Sequence, residues 1–141
     1  MSAISATGRY TPRSDIGQFI ATKIVPGLLE AVDACGQIVE DEAKLLCPVR
    51  TGALRDSIGH RVDQTGSSVY STVYAGEDYA GYVEMGTGIR GAASPGAGPY
   101  EYSATWPGME AQPYLRPALD STRDQNKTAF VQHGGVYLKA A

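Results

Sequence analysis

An apolar stripe between two prolines constrains this chain more than any other feature of its sequence. From Leu28 to Leu46 the apolar side chains recur at helical spacing, and the charged side chains fall largely outside that stripe, which is typical of an amphipathic α-helix. Pro26 can occupy the first turn of a helix, and Pro48 disfavours helical geometry at the residue before it. The sequence therefore predicts a helix from about Pro26 to Leu46, roughly 30 Å long at ~1.5 Å per residue.

The segments that flank this helix predict a second, shorter helix and a β-hairpin. Residues 16–24 carry isoleucine and phenylalanine at helical spacing, directly after a Ser-Asp pair that can cap a first turn. Residues 68–74 alternate valine or serine with tyrosine or threonine, as in a half-buried strand, and residues 57–62 form a second strand-compatible run. We therefore expect an antiparallel hairpin with a loop at residues 63–67.

The second half of the chain predicts short elements joined by irregular segments. Tyr79–Glu84 fits either a strand or one helical turn. Residues 86–99 hold five glycines and two prolines, which favours a long flexible loop. Residues 100–105 suggest a short strand, and the final six residues suggest an edge strand.

A last helix is predicted to begin at Pro113. Pro117 is tolerated in this helix only because it would still lie within the first turn. Leu115, Leu119 and Phe130 are expected to face the core, while the charged residues between them face water.

The length and the order of these elements favour one α+β domain over residues 14–141. A chain of 141 residues is near the usual size of a domain with a single core. The long helix and a C-terminal helix would pack on a small, mainly antiparallel β-sheet. Residues 1–13 combine Ser, Thr, Gly and Pro with two arginines and no acid, which predicts an extended, flexible N-terminal arm that orders on a partner.

Two further patterns concern location and charge. No stretch of the sequence approaches the ~18 to 20 apolar residues of a membrane span, and the N-terminus lacks the apolar block of a secretory signal, so we expect a soluble protein that is not exported. The formal net charge of −3 supplies no global positive field for nucleic acid. Acids dominate residues 14–47 and 75–112, whereas the arm and residues 113–141 are net positive, so faces of opposite sign could meet between copies of the chain.

The sequence carries no set of residues with catalytic or metal-binding spacing. His60 and His133 are the only histidines, and neither has a partner at metal-site spacing. Cys35 and Cys47 lie on one predicted helix, about 18 Å apart, which is too far for a disulfide. Residues 86–99 contain no lysine and lead into no helix, unlike a phosphate-binding loop. We therefore expect no enzyme activity, no metal and no cofactor.

Aromatic side chains border the glycine-rich segment on both sides. Tyrosine and tryptophan are enriched at the centres of protein interfaces, so these rings predict a contact surface. The alternative is that they cap a thin core. Together with the arginines of the arm and of the loop, they define the candidate interface residues: Arg9, Arg13, Tyr82, Arg90, Tyr100, Tyr102 and Trp106.

Three blocks of sequence carry a resemblance to a known family. They are AKLLCPVRTGALRDSI at residues 43–58, YAGYVEMGT at residues 79–87 and MEAQPYLRPAL at residues 109–119. The first block is expected to turn from helix to strand, with Gly52 allowing the tight turn, and Gly86 has the same role in the second. In this order the blocks resemble the tail-completion, or neck, proteins of long-tailed double-stranded DNA phages.

The resemblance implies a non-enzymatic structural protein of the virion, assembled in the host cytoplasm. By analogy with tail symmetry it would form a homo-oligomeric ring of six copies in the neck. Its partners would be the head-tail connector or stopper proteins and the tail terminator or tail-tube protein. Double-stranded DNA would pass through the ring without sequence-specific binding, and an acidic helix face would suit such a lumen.

Other functions remain open at this level. A tail terminator and a head-completion stopper are ring-forming neck proteins of similar size. A small hydrolase would use Glu84 with His60 as orienter and base. A sheet-based nucleic-acid binder would use the tyrosines, but it would need a basic platform beside them.

The chain departs from the family pattern between the second and third blocks. Family members often pass from one block to the other within a few residues, whereas here about twenty residues, Gly88 to Gly108, intervene. Its glycine content and its aromatic border suggest a protruding arm that grips a neighbouring subunit.

Overall fold

The chain begins with one long helical rod. The structure, a computed structural model, describes residues 16–66 and 68–139. Helix α1 (Ile16–Phe19), a π-helical turn (Ile20–Ile24) and helix α2 (Val25–Leu46) follow one another without a break in helical backbone. The predicted long helix is confirmed, but the predicted short helix is its extension and not a separate element.

The π-helical turn explains why the rod continues through Pro26. Proline removes one backbone donor and crowds the preceding turn of an α-helix. Immediately before it, the Val25 N–H binds the Ile20 carbonyl five residues back, and a π-helical turn of this kind re-pairs the backbone where α-helical pairing is disturbed. The rod ends as predicted at Cys47, which is extended ahead of Pro48.

The predicted β-hairpin is confirmed, with a tighter connection. Strand β1 (Ile58–Thr65) pairs antiparallel with strand β2 (Ser68–Ala75), from Ile58 opposite Ala75 to Thr65 opposite Ser68. The loop predicted at residues 63–67 was therefore too long, since its first three residues extend β1. Residues 100–105 form no strand, so the described part of the chain has a sheet of two strands.

Five further helices lie within the described residues. A turn at Gly52, with φ of +89°, leads into α3, as predicted for the helix-to-strand corner. None of the helices in the described ranges is both long and apolar enough to cross a membrane. The helices are α3 (Ala53–Asp56), α4 (Ala80–Met85), α5 (Gly88–Ala93), α6 (Leu115–Ser121) and α7 (Arg123–Lys139).

These helices decide or correct several expectations. The segment that fitted either a strand or a helical turn is helix α4. The segment that was expected to be a flexible loop contains helix α5. This helix ends at Ser94, whose hydroxyl donates to the Gly91 carbonyl. The expected last helix is two helices that meet at Thr122. The predicted edge strand is wrong as far as Lys139, where α7 ends, and the last two residues lie outside the described residues.

Helix α7 packs beside α2 through small side chains. The buried positions include Gly27, Ala31 and Ala43 on α2, Ala118 on α6, Thr122 between α6 and α7, and Ala129 on α7. Small residues let helix backbones approach closely, so the larger residues next to them lie outside the contact. Leu119 and Phe130 are accordingly 57% and 42% exposed, and the expectation that they face the core was wrong.

The main core lies where the C-terminal half of α2 meets the hairpin, α4 and α6. Tyr114 is its largest fully buried side chain. Burial of such an aromatic residue contributes more than that of any aliphatic neighbour. The buried cluster consists of Val39, Ala43, Cys47, Leu54, Ile58, Ala80, Tyr114 and Ala118.

Gly36 allows the hairpin to lie directly against α2. A Cβ atom at this position would lie 2.6 Å from Cδ2 of His60 and would also overlap the hydroxyl of Ser71. We expect Gly36→Ala to lower the free energy of unfolding by about 1–3 kcal/mol, because the hairpin must move away. Urea denaturation measures the change. Gly135→Ala is the control, since nothing lies within 4 Å of that site, and an unchanged stability of Gly36→Ala would contradict the packing described.

Candidate functional site

A buried carboxylate joins the second sequence block to the third. Glu84 lies on α4 with 6% of its surface exposed. Its Oε2 accepts hydrogen bonds from the backbone N–H groups of Tyr114 (2.7 Å) and Leu115 (3.0 Å), and its Oε1 accepts from the N–H (3.1 Å) and Nε (3.2 Å) of Arg116. Glu84 thus caps the start of α6, where backbone donors have no partner within the helix.

Burial and the hydrogen bonds of Glu84 shift the pKa values of Glu84 and Tyr114. Burial by itself would raise the pKa of Glu84, but the backbone donors of residues 114–116 and the Arg116 guanidinium outweigh it and lower the pKa. Burial, with the nearby groups of Cys47, Glu84 and Tyr79, raises the pKa of Tyr114 to about 12. Glu84 is therefore ionised and fully engaged, which is the behaviour of a structural group.

The intervening segment crosses back over the chain close to Glu84. Thr87 and Met109 exchange two backbone hydrogen bonds of 2.9 and 3.0 Å, and the N–H of Ile89 donates to the Trp106 carbonyl at 2.9 Å. We call residues 86–88 and 106–109 the crossing. Residues 88–108 therefore return to the point where they leave the chain, and the Arg116 guanidinium donates to the Gly96 carbonyl between these ends at 2.6 Å. That this segment grips a neighbouring subunit or ring stays a prediction.

Glycine is required at the crossing because backbone lies against backbone. Gly86, Gly88 and Gly108 have φ values of +73°, +60° and +63°, in the left-handed region that side chains disfavour. A Cβ atom at Gly86 would lie 2.7 Å from the backbone N of Ala111, and one at Gly88 would lie 2.8 Å from the backbone N of Gly108. The high glycine content thus serves close packing as well as turning.

Four of the predicted interface residues meet in one groove on the outside of the crossing. The groove holds about 550 Å³. Tyr82, Tyr100 and Trp106 are 62%, 59% and 56% exposed, so their rings are not the cap of a core. Tyr102 is different, because its hydroxyl donates to the Met85 carbonyl (2.8 Å) and accepts from the Gly98 N–H (2.7 Å). We call the surface formed by Tyr82, Tyr100, Tyr102 and Trp106 the aromatic groove.

The other predicted interface residues lie elsewhere. Arg90 is exposed on α5 and is not among the residues that line the aromatic groove. Arg9 and Arg13 lie outside the described residues. The charged residues that do line the groove are both acids, Asp78 and Glu101.

A second exposed apolar surface is formed by α6 and α7. Leu119, Phe130 and Val131 are 57%, 42% and 70% exposed and lie beside Arg123 and Lys127. We call these five residues the α6–α7 patch. It shares no residue with the aromatic groove.

His60 links the hairpin to the acidic side of α2. Its Nδ1 is hydrogen-bonded to Glu40, which also binds Lys44, and its Nε2 lies 3.1 Å from Asp33. The hydrolase alternative needed His60 beside Glu84, but each side chain has other partners, and the structure does not bring the two together. Within the described residues there is no group of three or more His, Cys, Asp or Glu side chains that could hold a metal ion.

The His60 cluster makes stability depend on pH. Hydrogen bonding to Glu40 raises the pKa of His60 above its ordinary 6.5, against the effect of burial. Burial opposes ionisation of Glu40, but the bonds from Lys44 and His60 prevail and lower its pKa below 4.5. His60 therefore contributes fully to the free energy of unfolding below pH 6.5, and this contribution decreases as the pH rises through its raised pKa. The contribution of Glu40 to the same free energy is lost as the pH falls through its lowered pKa.

We expect the free energy of unfolding to fall between pH 6 and pH 9 by about 1 kcal/mol more in the wild type than in His60→Gln. Urea titrations across this range test the difference. His133→Gln is the control, because it replaces the other histidine, which lies on α7, is 45% exposed and has Glu30 at 3.6 Å, and it should change the pH dependence less than His60→Gln does. Parallel pH profiles for wild type and His60→Gln would refute a stabilising role of this cluster.

Comparison with known proteins adds one finding. The family model described as "Bacteriophage HK97-gp10, putative tail-component" matches residues 15–86, which span the helical rod, the hairpin and α4. The chain belongs to this family. This phage tail component has no match among curated proteins or among solved structures.

The family match confirms the resemblance of the first two blocks to phage tail proteins. Both blocks lie almost wholly within the matched residues of the tail component, whereas the third block and most of the aromatic groove lie beyond them. A tail component is a virion protein with a structural role. The contact of Glu84 with residues 114–116 was not predicted, because no local pattern indicates which helix start a distant glutamate caps.

Proposed function

We propose that this tail component forms a closed ring in the phage neck and completes the tail by joining the head connector to the tail tube. The ring has six copies, in keeping with tail symmetry, and double-stranded DNA passes through it during ejection. The resemblance of all three sequence blocks to tail-completion proteins supports this role. Helix α2 carries five acids and one lysine, and this excess of negative charge suits a lumen that does not retain DNA through phosphate contacts.

The observation that carries the proposal is the presence of two unrelated exposed apolar surfaces on one small domain. The aromatic groove and the α6–α7 patch are built from different elements and share no residue. A contact between two different surfaces of identical subunits is heterologous, and such contacts close into rings when the rotation between subunits allows it. Exposed aromatic residues are also the side chains that contribute most at protein interfaces.

The engagement of the polar groups supports a binding role over catalysis. Glu84 is used in capping α6 and His60 in holding the hairpin to α2. A general acid or base needs a free hydrogen-bonding position toward a substrate, and both oxygens of Glu84 are occupied by donors from residues 114–116.

Ring formation is tested by native mass spectrometry of the purified chain, alone and in neck complexes isolated from particles. We expect six copies in the complexes. Trp106→Ala and Phe130→Ala, which alter one surface each, should reduce assembly without unfolding the monomer. Tyr74→Ala is a matched control, because Tyr74 is 44% exposed on β2 and lines neither surface. A monomer in isolated neck complexes would contradict the ring.

The position in the particle is tested by a phage that lacks this chain and by pull-down of its partners. We expect filled heads and finished tails that remain separate, with capture of both tail-tube subunit and connector. Capture of the tail-tube subunit alone favours a terminator, and capture of the portal-adaptor complex alone favours a head-completion stopper. Normal infectious particles without the chain would refute a neck role.

A further inference from the structure

The aromatic groove has the chemistry of a site for a basic segment. Three of its rings are largely exposed, and its two charged lining residues, Asp78 and Glu101, are both acids. A guanidinium is attracted to the face of an aromatic ring and to a neighbouring carboxylate at the same time. An arginine-bearing peptide therefore fits this groove better than an acidic or a purely apolar one.

The chain itself contains such a segment. Residues 1–13 carry Arg9 and Arg13, with a tyrosine next to Arg9 and no acid. They precede α1 and lie outside the described residues. Their charge is opposite to that of residues 75–112, which include all the residues that line the groove.

Distance decides which copy of the segment can reach the groove. The helical rod from Ile16 to Leu46 has 31 residues and is about 45 Å long at ~1.5 Å per residue. The groove lies beside α4, and Ala80 at the start of α4 belongs to the core cluster that includes Val39, Ala43 and Cys47 in the second half of this rod. The segment joins the rod at the opposite end.

Residues 9–13 cannot reach the aromatic groove of their own copy. Even a fully extended chain advances at most ~3.6 Å per residue, so Arg13 can lie about 11 Å and Arg9 about 25 Å from Ile16. Both arginines fall short of the part of the rod that packs with α4, which begins at Val39, about 35 Å from Ile16 at ~1.5 Å per residue, whereas a neighbouring copy can present them directly.

We propose that the basic segment of one copy, residues 9–13, binds the aromatic groove of the next copy around the ring. The arginines lie against Tyr82, Tyr100 and Trp106 and pair with Asp78 and Glu101. The contact is heterologous, since it joins different surfaces of identical chains, and it rests on the ring proposed above.

The only tryptophan of the chain, Trp106, reports occupancy of the groove. The probe is a synthetic peptide of residues 1–15, added to full-length Arg9→Gln/Arg13→Gln protein, whose groove is intact. We expect a saturable change in Trp106 emission and at least tenfold weaker binding by the same peptide with both arginines replaced by glutamine. Binding, followed by anisotropy of a labelled peptide, should weaken at least tenfold in Tyr82→Ala/Tyr100→Ala and remain unchanged in the control Tyr70→Ala.

Dilution of the wild-type chain distinguishes contact between copies from contact within one. We expect Trp106 emission to depend on protein concentration in the wild type and not in Arg9→Gln/Arg13→Gln. Equal binding of the two peptides, or an arginine-dependent emission that does not change with concentration, would overturn the proposal. If the groove ignores the peptide while native mass spectrometry still finds the ring, this contact is refuted and the ring stands; if the peptide binds but no ring forms, the contact stands and the ring is refuted.

Discussion

Gly88→Ala is expected to lower the free energy of unfolding by about 2–5 kcal/mol. The left-handed backbone at this position disfavours a side chain by about 1–2 kcal/mol. The new Cβ atom would also lie against the backbone of Trp106 and Gly108, which can retreat only by opening the crossing, and overpacking of this kind adds about 1–3 kcal/mol. Urea denaturation followed by circular dichroism measures the loss.

A matched control separates backbone strain from the close approach. Gly66 has a φ of +59°, almost the same as that of Gly88, but nothing lies within 4 Å of its Cβ position. Gly66→Ala should therefore lower the free energy of unfolding only by the cost of backbone strain, about 1–2 kcal/mol. Gly108→Ala should resemble Gly88→Ala, because its Cβ would overlap the Thr87 carbonyl. Equal losses in Gly66→Ala and Gly88→Ala would mean that the two chain segments are not in contact.

Glu84→Ala is expected to destabilise the fold by about 3 kcal/mol. The substitution leaves three backbone donors at the start of α6 without their acceptor, and buried donors that lose a charged partner are expensive to leave unpaired. Glu84→Gln keeps the volume and one acceptor oxygen, so it should lose about half as much. Thermal and urea unfolding of both variants tests the order.

The stabilisation of the fold by Glu84 is also expected to depend on pH in the acidic range. Because the pKa of Glu84 is lowered in the fold, its contribution is present above the ordinary value of 4.5 and is lost as the pH falls through the lowered pKa. The wild type should therefore approach Glu84→Ala in stability on acidification. Glu110→Ala is the control, since it removes the same charge from an exposed position. A Glu84→Ala variant as stable as Glu110→Ala would remove the capping role.

Gly88 and Glu84 lie in the same part of the molecule as the proposed contact. The crossing supports Tyr100 and Trp106, and Glu84 holds α4, which carries Tyr82, against α6. Opening the crossing, or removing the Glu84 carboxylate, should therefore separate the rings that form the aromatic groove. Interface tests are therefore best made with Tyr82, Tyr100 and Trp106, whose rings are mostly exposed, and not with Tyr102, whose hydroxyl holds the segment together.

Local patterns predicted the elements that local interactions decide. The rod from Pro26 to Leu46 and the strand from Ser68 follow from periodicity and from prolines, which act within a few residues. The predictions were wrong where the buried side chains are small or where the periodic pattern is interrupted. Ala118, Thr122 and Ala129 form the buried stripe of α6 and α7, and a search for large apolar residues selected Leu119 and Phe130 next to it.

Taken alone, the sequence determined the α+β class, the long helix, the hairpin and membership of a phage tail family, because each depends on the order of residues along the chain. Only the tertiary structure decided that Glu84 caps α6, that His60 binds α2, that the glycine-rich segment closes on itself and that four aromatic residues share a groove. These contacts join residues up to 32 positions apart, and their partners are selected by packing and by the need to pair buried polar groups, neither of which leaves a periodic signal in the sequence.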